Sequence, residues 1–149
     1  MAKIKIGNAP QRYSLLLNSH ENVRLSKCPK CQKFTYLRKF ALFIHISGWG
    51  PTVLGKTCRY CSRCDIVMVH CKELAAELAS SLSQLAPEAV GNDYWVLGTI
   101  EKKIWQQGLG SRGKPVSELL KHLADFKHHY DLEYKPGGWH PAPQKPRTI

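Results

Sequence analysis

The residues with the clearest chemical meaning are the six cysteines, all within the first 71 of 149 residues. Two Cys-x-x-Cys turns are separated by a long spacer, and each turn points two sulfur atoms in one direction. Four thiolates arranged in this way suit Zn²⁺, which takes a closed tetrahedral set of ligands in structural sites. The pattern is Cys28-Pro-Lys-Cys31, then 26 residues, then Cys58-Arg-Tyr-Cys61-Ser-Arg-Cys64, and finally Cys71.

The second pair of zinc ligands can be chosen in two ways, and Cys61 belongs to both. We favour Cys61 with Cys64 over Cys58 with Cys61, because the apolar run that follows begins directly after Asp65. A turn at the tip of a hairpin is followed at once by the returning strand. The predicted ligands are Cys28, Cys31, Cys61 and Cys64, with Cys58 as the alternative ligand.

Other thiol chemistries fit the cysteines less well. Disulfide bonds need an oxidising compartment, and the N-terminal residues lack the apolar core of a signal peptide. We therefore expect a cytoplasmic protein with free thiols. A redox pair and an iron–sulfur cluster, which also uses four thiolates, remain lesser alternatives.

The two turns, Cys28-Pro-Lys-Cys31 and Cys61-Ser-Arg-Cys64, resemble the paired knuckles of zinc-ribbon proteins. Residues 57–65 and the apolar strand after them also resemble a group of uncharacterised bacterial zinc-ribbon proteins. Members of this class often carry glycine after each knuckle, whereas this chain has Gln32 and Asp65. The resemblance implies a small β module that binds nucleic acid or protein partners and does not catalyse a reaction.

Positive charge is concentrated around the cysteines. The chain has 22 Lys and Arg against 11 Asp and Glu, and residues 1–60 contain a single acid, Glu21. A Zn²⁺ ion with four thiolates carries a net charge of −2, which two cations would offset, so the surplus indicates a polyanionic partner. Interleaved aromatic residues favour RNA or single-stranded nucleic acid. The predicted nucleic-acid-binding residues are Lys30, Lys33, Phe34, Tyr36, Arg38, Lys39, Lys56, Arg59 and Arg63.

The hydrophobic pattern predicts strands at residues 40–46, 52–60, 66–69 and 94–100. Leu74, Leu78, Leu82 and Leu85 predict one amphipathic helix, and residues 116–130 a second. A short helix is predicted at residues 101–107, and a glycine-rich loop at 108–113. We expect an α+β protein: a small zinc-ribbon β module, two amphipathic helices, one or more additional strands and flexible termini. The predicted division is a basic extension (1–27), the zinc-ribbon module (28–71), a helix-strand-helix region (72–134) and a Pro/Gly-rich tail (135–149).

The sequence carries no His-Glu-x-x-His, Gly-x-Ser-x-Gly or paired-carboxylate motif, and we therefore expect no enzyme. No apolar run approaches the roughly 20 residues that span a bilayer. The leading hypothesis is a non-catalytic zinc protein that binds nucleic acid, with RNA or a ribonucleoprotein favoured over duplex DNA. The alternative is a protein–protein interaction adaptor that uses its helices and C-terminal tail.

Overall fold

The computed structural model describes residues 7–101 and 120–144, which build a mixed β-sheet covered by a 15-residue helix. A 3₁₀ turn at Pro87–Ala89 follows the helix. In chain order the other elements are β1 (Ser14–Asn18), β2 (Tyr36–Ile46), β3 (Gly50–Cys61), β4 (Ile66–His70), α1 (Cys71–Leu85), β5 (Tyr94–Ile100), β6 (Leu123–Asp125), β7 (His129–Lys135) and β8 (Gly138–Pro143).

Within the described residues the strands form an eight-stranded sheet in the order β6-β5-β2-β3-β4-β1-β7-β8. Strand β1 pairs in parallel with β4 on one side and with β7 on the other. The remaining strand pairs are antiparallel. The sequence analysis divided the chain into residues 1–27, 28–71, 72–134 and 135–149, and each of these segments contributes at least one strand to the sheet. The boundaries between the segments stay a prediction.

The two faces of the sheet bury different sets of residues because side chains alternate along a strand. We call the face covered by α1 the helix face; Leu74, Leu78 and Leu82 of the helix pack against it. Its buried residues include Leu15, Phe40, Leu42, Cys58, Tyr60 and Val67. We call the other side of the central strands the cysteine face, whose buried residues are Leu16, Leu25, Cys28, Cys61, Ile66, Met68 and Leu132.

The predicted zinc-ribbon module followed by two amphipathic helices is wrong as a description of the fold. The predicted strands lie within β2, β3, β4 and β5, and the first helix is α1. Residues 123–143 instead add three strands to the sheet, and of the described residues before them Leu120 and Lys121 are helical. Among the described residues, no helix combines the length and the apolar character needed to cross a membrane.

The second predicted helix fails for a specific reason. Its apolar spacing would place Leu123 and Phe126 on one stripe, but the two side chains fill different buried clusters. Leu123 lies in β6 and packs with Phe43 and Ile100, whereas Phe126 packs in the main core under α1. Two apolar residues three positions apart, which a helix would place on one side, thus pack in two separate hydrophobic clusters. Residues 116–119, the predicted helix at 101–107 and the loop at 108–113 lie largely outside the described residues.

Both predicted flexible termini are wrong where they are described. Asn8 and Ala9 donate backbone hydrogen bonds to the carbonyls of Leu120 and Leu123, at 2.9 and 3.1 Å. At the other end, residues 138–143 form β8 and pair with β7. The tight turn between the two strands is Pro136-Gly137, with φ of 100° at Gly137 and of 125° at Gly138, the first residue of β8.

Candidate metal centre

The first pair of cysteines is held in a small hairpin. Lys27 and Phe34 form an isolated antiparallel bridge, which brings the two arms of the turn together. The N–H of Cys28 donates to the carbonyl of Lys33 at 2.8 Å, and the N–H of Gln32 donates to the carbonyl of Cys28 at 2.8 Å. These bonds fix the backbone from which Cys28 and Cys31 project. We call residues 27–34 the first knuckle.

The second pair lies at the tip of the β3–β4 hairpin, which we call the second knuckle (residues 61–65). Cys61 ends β3 and pairs with Ile66, the first residue of β4. The turn between them contains Cys64, so both thiols sit where the returning strand begins. The N–H of Ser14 donates to the carbonyl of Asp65 at 2.9 Å, which ties this turn to β1.

The residue after each cysteine pair adopts a left-handed backbone conformation. Gln32 has φ of 65° and Asp65 has φ of 52°. This region is unfavourable for most residues and is the reason glycine is common at such positions, although aspartate tolerates it better than most. The chain therefore makes the turn geometry that glycine gives in zinc ribbons while using two larger residues.

The structure brings together Cys28, Cys31, Cys61 and Cys64, the set that the sequence favours, with their sulfur atoms all within 4.8 Å of one another. The Sγ atoms of Cys31 and Cys61 are 3.5 Å apart. Four thiolates at about 2.3 Å from a tetrahedral zinc ion have their sulfurs about 3.8 Å apart, so the cluster has dimensions that fit a single ion. Cys28 and Cys61 are buried, and the other two are half-buried.

Local interactions shift the pKa values of Cys28, Cys31 and Cys64 in different directions. The N–H of Lys33, followed by hydrogen bonds from neighbouring thiols, lowers the pKa of Cys31 to about 7. Burial raises the pKa of Cys28, and burial together with the hydrogen bond that the Cys64 thiol donates to Cys31 raises the pKa of Cys64 to about 12. Four thiolates packed so closely repel one another, and a divalent cation removes that repulsion while displacing the protons.

Cys58, the alternative ligand, lies on the other side of the sheet. It precedes Cys61 by three positions in β3, and residues an odd number apart in a strand face opposite sides. Cys58 is buried in the core under α1, where its thiol donates to the carbonyl of Lys56 at 3.5 Å. Burial raises its pKa to about 12. Cys58 is thus a core residue, as Cys71 is a half-buried neighbour of the same core.

A hydrogen bond that the sequence did not reveal braces the second knuckle. The hydroxyl of Tyr60 donates to Oδ1 of Asp65, and the Tyr60 side chain is buried on the helix face. Burial, followed by this bond, raises the pKa of Tyr60. The sequence signal was the aspartate itself, since an aspartate directly after a Cys-x-x-Cys turn suits a left-handed position. Its distant partner could not be read from the sequence.

The predicted nucleic-acid-binding residues fall into three groups. Most of them are exposed around the two knuckles and at the start of β2. Arg59 is half-buried, and Lys56 is 6% exposed with its ammonium 2.6 Å from Glu77 and 3.6 Å from Glu73. Lys56 is therefore buried in ion pairs, whereas the other predicted residues are exposed or half-buried. The exposed residues are Lys30, Lys33, Phe34, Tyr36, Arg38, Lys39 and Arg63.

Arg38 is exposed but packs over a group of aromatic rings on the helix face. Its guanidinium carbon lies 4.8 Å from the ring centroid of Phe40, 5.2 Å from that of Tyr60 and 5.7 Å from that of Tyr13. Cation–π contacts of this kind orient the side chain. Arg38 and Tyr36 thus belong to the helix face, whereas the knuckle cations surround the cysteines.

Comparison with protein families, with curated proteins and with solved structures finds no match for this chain. Of the expected zinc-ribbon features, the structure supports the cluster of four cysteines. The structure defines the class as a mixed β-sheet protein with a candidate four-cysteine metal centre.

Proposed function

We propose that Cys28, Cys31, Cys61 and Cys64 bind one Zn²⁺ as a closed structural site. The observation that carries this proposal is the convergence of four sulfur atoms within 4.8 Å, in a described region that offers no other metal-ligating cluster of three or more residues. Four protein thiolates fill the tetrahedral shell of zinc and leave no position for a reactive water. The site then stabilises the two knuckles and does not catalyse a reaction.

The spacing of the sulfurs favours a single ion over an iron–sulfur cluster. A cluster of several irons places its cysteines on different iron atoms, so their sulfurs lie further apart than those of thiolates sharing one ion. Purification without added metal, followed by elemental analysis and an absorption spectrum, separates the two. We expect one zinc per chain and no visible colour; stoichiometric iron with visible absorption would contradict the zinc site.

We further propose that the protein binds nucleic acid, with RNA favoured over duplex DNA. The support is the position of the exposed cations, since Lys30 and Lys33 lie in the first knuckle and Arg63 lies in the second. A bound Zn²⁺ with four thiolates needs two positive charges for neutrality, and these residues with Lys27 and Lys39 exceed that need. Phosphate groups are the partner that such a surplus suits.

The alternative, an adaptor that uses two helices and a C-terminal tail, has less structural support. Its second helix is absent from residues 123–135, which contain β6 and β7, and residues 138–143 are built into the sheet as β8. A protein partner would have to use another surface. We therefore place nucleic-acid binding first.

The test is fluorescence anisotropy of the zinc-loaded protein with labelled single-stranded RNA, duplex RNA, single-stranded DNA and duplex DNA at two salt concentrations. We expect binding to RNA that persists near physiological salt and weakens linearly with the logarithm of salt concentration. Weak attraction to every class at low salt alone would contradict the proposal and favour the adaptor.

A further inference from the structure

Phe34 of the first knuckle is unusually exposed for its type. Its relative exposure is 78%, the highest among the large apolar side chains of the described residues. Phenylalanine is among the residues most often buried in proteins. Leu37, at 61%, and Tyr36, at 47%, extend the same exposed segment into the start of β2. Large apolar side chains exposed on a surface are candidates for contact with a ligand.

The backbone under Phe34 is held firmly although its ring lies in solvent. Phe34 bridges to Lys27, and the N–H of Thr35 donates to the carbonyl of Ser26 at 2.9 Å. The buried hydroxyl of Thr35 donates to the carbonyl of Leu25 at 2.6 Å. The backbone that presents the ring is thus held in a hairpin, which reduces the ordering required when a ligand binds.

One face of the Phe34 ring is already in contact with a cation. The ammonium of Lys27 lies 5.3 Å from the ring centroid. With 78% of the residue exposed, the other face is open. The pair therefore offers a flat apolar surface and a positive charge next to each other. An unpaired nucleobase and its phosphate have the complementary chemistry, since the base stacks on the ring and the phosphate contacts the cation.

We infer that Phe34 and Lys27 form a stacking site for an unpaired base of single-stranded RNA or DNA, an inference that rests on the proposed nucleic-acid-binding function. Bases in a duplex hide their flat faces against one another, so this site selects single strands. Every base has such a face, so the site tolerates different sequences. Lys30 and Lys33 of the same knuckle then contact the phosphates on either side.

The experiment compares the zinc-loaded 149-residue chain with Phe34→Leu, Phe34→Trp and Trp49→Leu. Anisotropy is measured with an oligouridine, an oligodeoxythymidine and an RNA duplex of equal length. Trp49 is the matched control, because it is an exposed aromatic residue (40%) just beyond the far end of β2, roughly 30 Å along the strand from Tyr36. Zinc content is measured for each variant to show that the knuckle is intact.

We expect Phe34→Leu to raise the Kd for single strands by roughly 5- to 150-fold, the loss of one base–aromatic stack. The salt dependence should stay unchanged, since no charge is removed. Phe34→Trp keeps an aromatic ring and should bind single strands with about the wild-type Kd. Trp49→Leu should also have the wild-type Kd. The oligouridine and the oligodeoxythymidine show whether the site prefers ribose or deoxyribose.

Two different failures can be separated. If the wild type binds single strands with a steep salt dependence and Phe34→Leu binds equally well, the stacking site is overturned while the proposed function stands. If the wild type binds duplex RNA as tightly as single strands and Phe34→Leu weakens both equally, selection of single strands is overturned. If the wild type binds none of the oligonucleotides, both proposals fail and the exposed segment at residues 34–37 is left to a protein partner.

Discussion

The hydroxyl of Tyr60 and the carboxylate of Asp65 are hydrogen-bonded across the turn that carries Cys61 and Cys64. Tyr60 is anchored in the core under α1, whereas its partner directly follows the last cysteine of the cluster. The bond therefore connects the packed side of the sheet to the geometry of the metal centre. Because Asp65 also holds a left-handed conformation, its side chain and its backbone are both constrained.

Replacing Tyr60 with phenylalanine tests this connection. Removing the hydroxyl leaves the Asp65 carboxylate without this donor, and a hydrogen bond to a charged group contributes about 1.5–3 kcal/mol. We expect Tyr60→Phe to lower the free energy of unfolding by about that amount and to weaken zinc affinity. Tyr36→Phe is the control, since its ring packs edge-on against Tyr60 but is 47% exposed. Denaturant unfolding and zinc titration measure both effects, and equal results for the two variants would contradict the role of Tyr60.

Cys58 and Cys61 lie on opposite sides of β3, so we expect opposite effects on zinc binding when each is replaced. Cys61→Ser removes a ligand, so we expect it to lose zinc at neutral pH and to unfold at least the two knuckles, because metal binding supplies folding energy. Cys58→Ala only truncates a buried side chain, so it should keep one zinc per chain and lose about 1 kcal/mol of stability. Elemental analysis and circular dichroism distinguish them. Loss of zinc from Cys58→Ala would reinstate Cys58 as a ligand.

The ion pairs of Lys56 predict an asymmetric response to mutation. Lys56 is 6% exposed, but Glu73 and Glu77 are 68% and 50% exposed. The double variant Glu73→Gln with Glu77→Gln leaves the buried ammonium without a carboxylate partner. Breaking a fully buried pair in this way lowers the free energy of unfolding by about 3–5 kcal/mol, and we expect a smaller loss here because both carboxylates are exposed. Lys56→Met leaves two solvated carboxylates and should cost much less. Denaturant unfolding of the two variants would contradict this if Lys56→Met were the more destabilised.

Salt dependence separates the knuckle cations from other lysines. Lys33→Gln should lower the slope of log K against log salt by about 0.7 for a single strand, the effect of one lost phosphate contact. Lys135→Gln, in the β7–β8 hairpin, should leave the slope unchanged, since its exposed ammonium lies 3.9 Å from Glu133 and away from the knuckles. Anisotropy across a salt series measures both slopes. Identical slopes for the two variants would exclude Lys33 from the interface.

Truncation tests the corrected view of the C-terminus. Deleting residues 136–149 removes β8 and exposes the edge of β7. It also removes Trp139, whose side chain packs against the buried cluster of the cysteine face. We expect a clear loss of stability and a tendency to associate through the freed edge. Deleting residues 145–149 alone is the control and should leave β8 in place. Thermal unfolding and light scattering compare the two, and equal behaviour would contradict a structural role for β8.

The sequence predicted local elements better than their assembly. Strong period-2 alternation located β2, and a leucine stripe located α1, because each pattern reflects burial on one side of one element. Leu123 and Phe126 led to the wrong prediction of a second helix because they pack in two different hydrophobic clusters. Those clusters form only when the whole sheet is assembled. Likewise, the prolines and glycines of residues 135–149 suggested a tail, yet residues 138–143 form β8, an edge strand among the described residues, where proline is tolerated.

The candidate site was predicted in part for similar reasons. Cysteine spacing identified the four clustered thiols, since the ligands of structural zinc sites typically come in closely spaced pairs. The structure places Cys58 outside this cluster, on the other face of β3, and that position is a property of the strand. The burial of Lys56 and the partner of Asp65 depend on contacts with α1 and the core, which spacing along the chain does not encode.

The parallel placement of β1 between β4 and β7 has a consequence for how the chain is made. Strands β2, β3 and β4 are consecutive hairpins and can pair as soon as they leave the ribosome. Strand β1 must wait for residues 129–131 before its second side is paired, which at about 5–20 residues per second takes roughly 6–20 s. During that interval a newly synthesised N-terminal segment with the sequence Ser-Leu-Leu-Leu-Asn stays open on one side. We expect the nascent chain to be most vulnerable to aggregation at this stage.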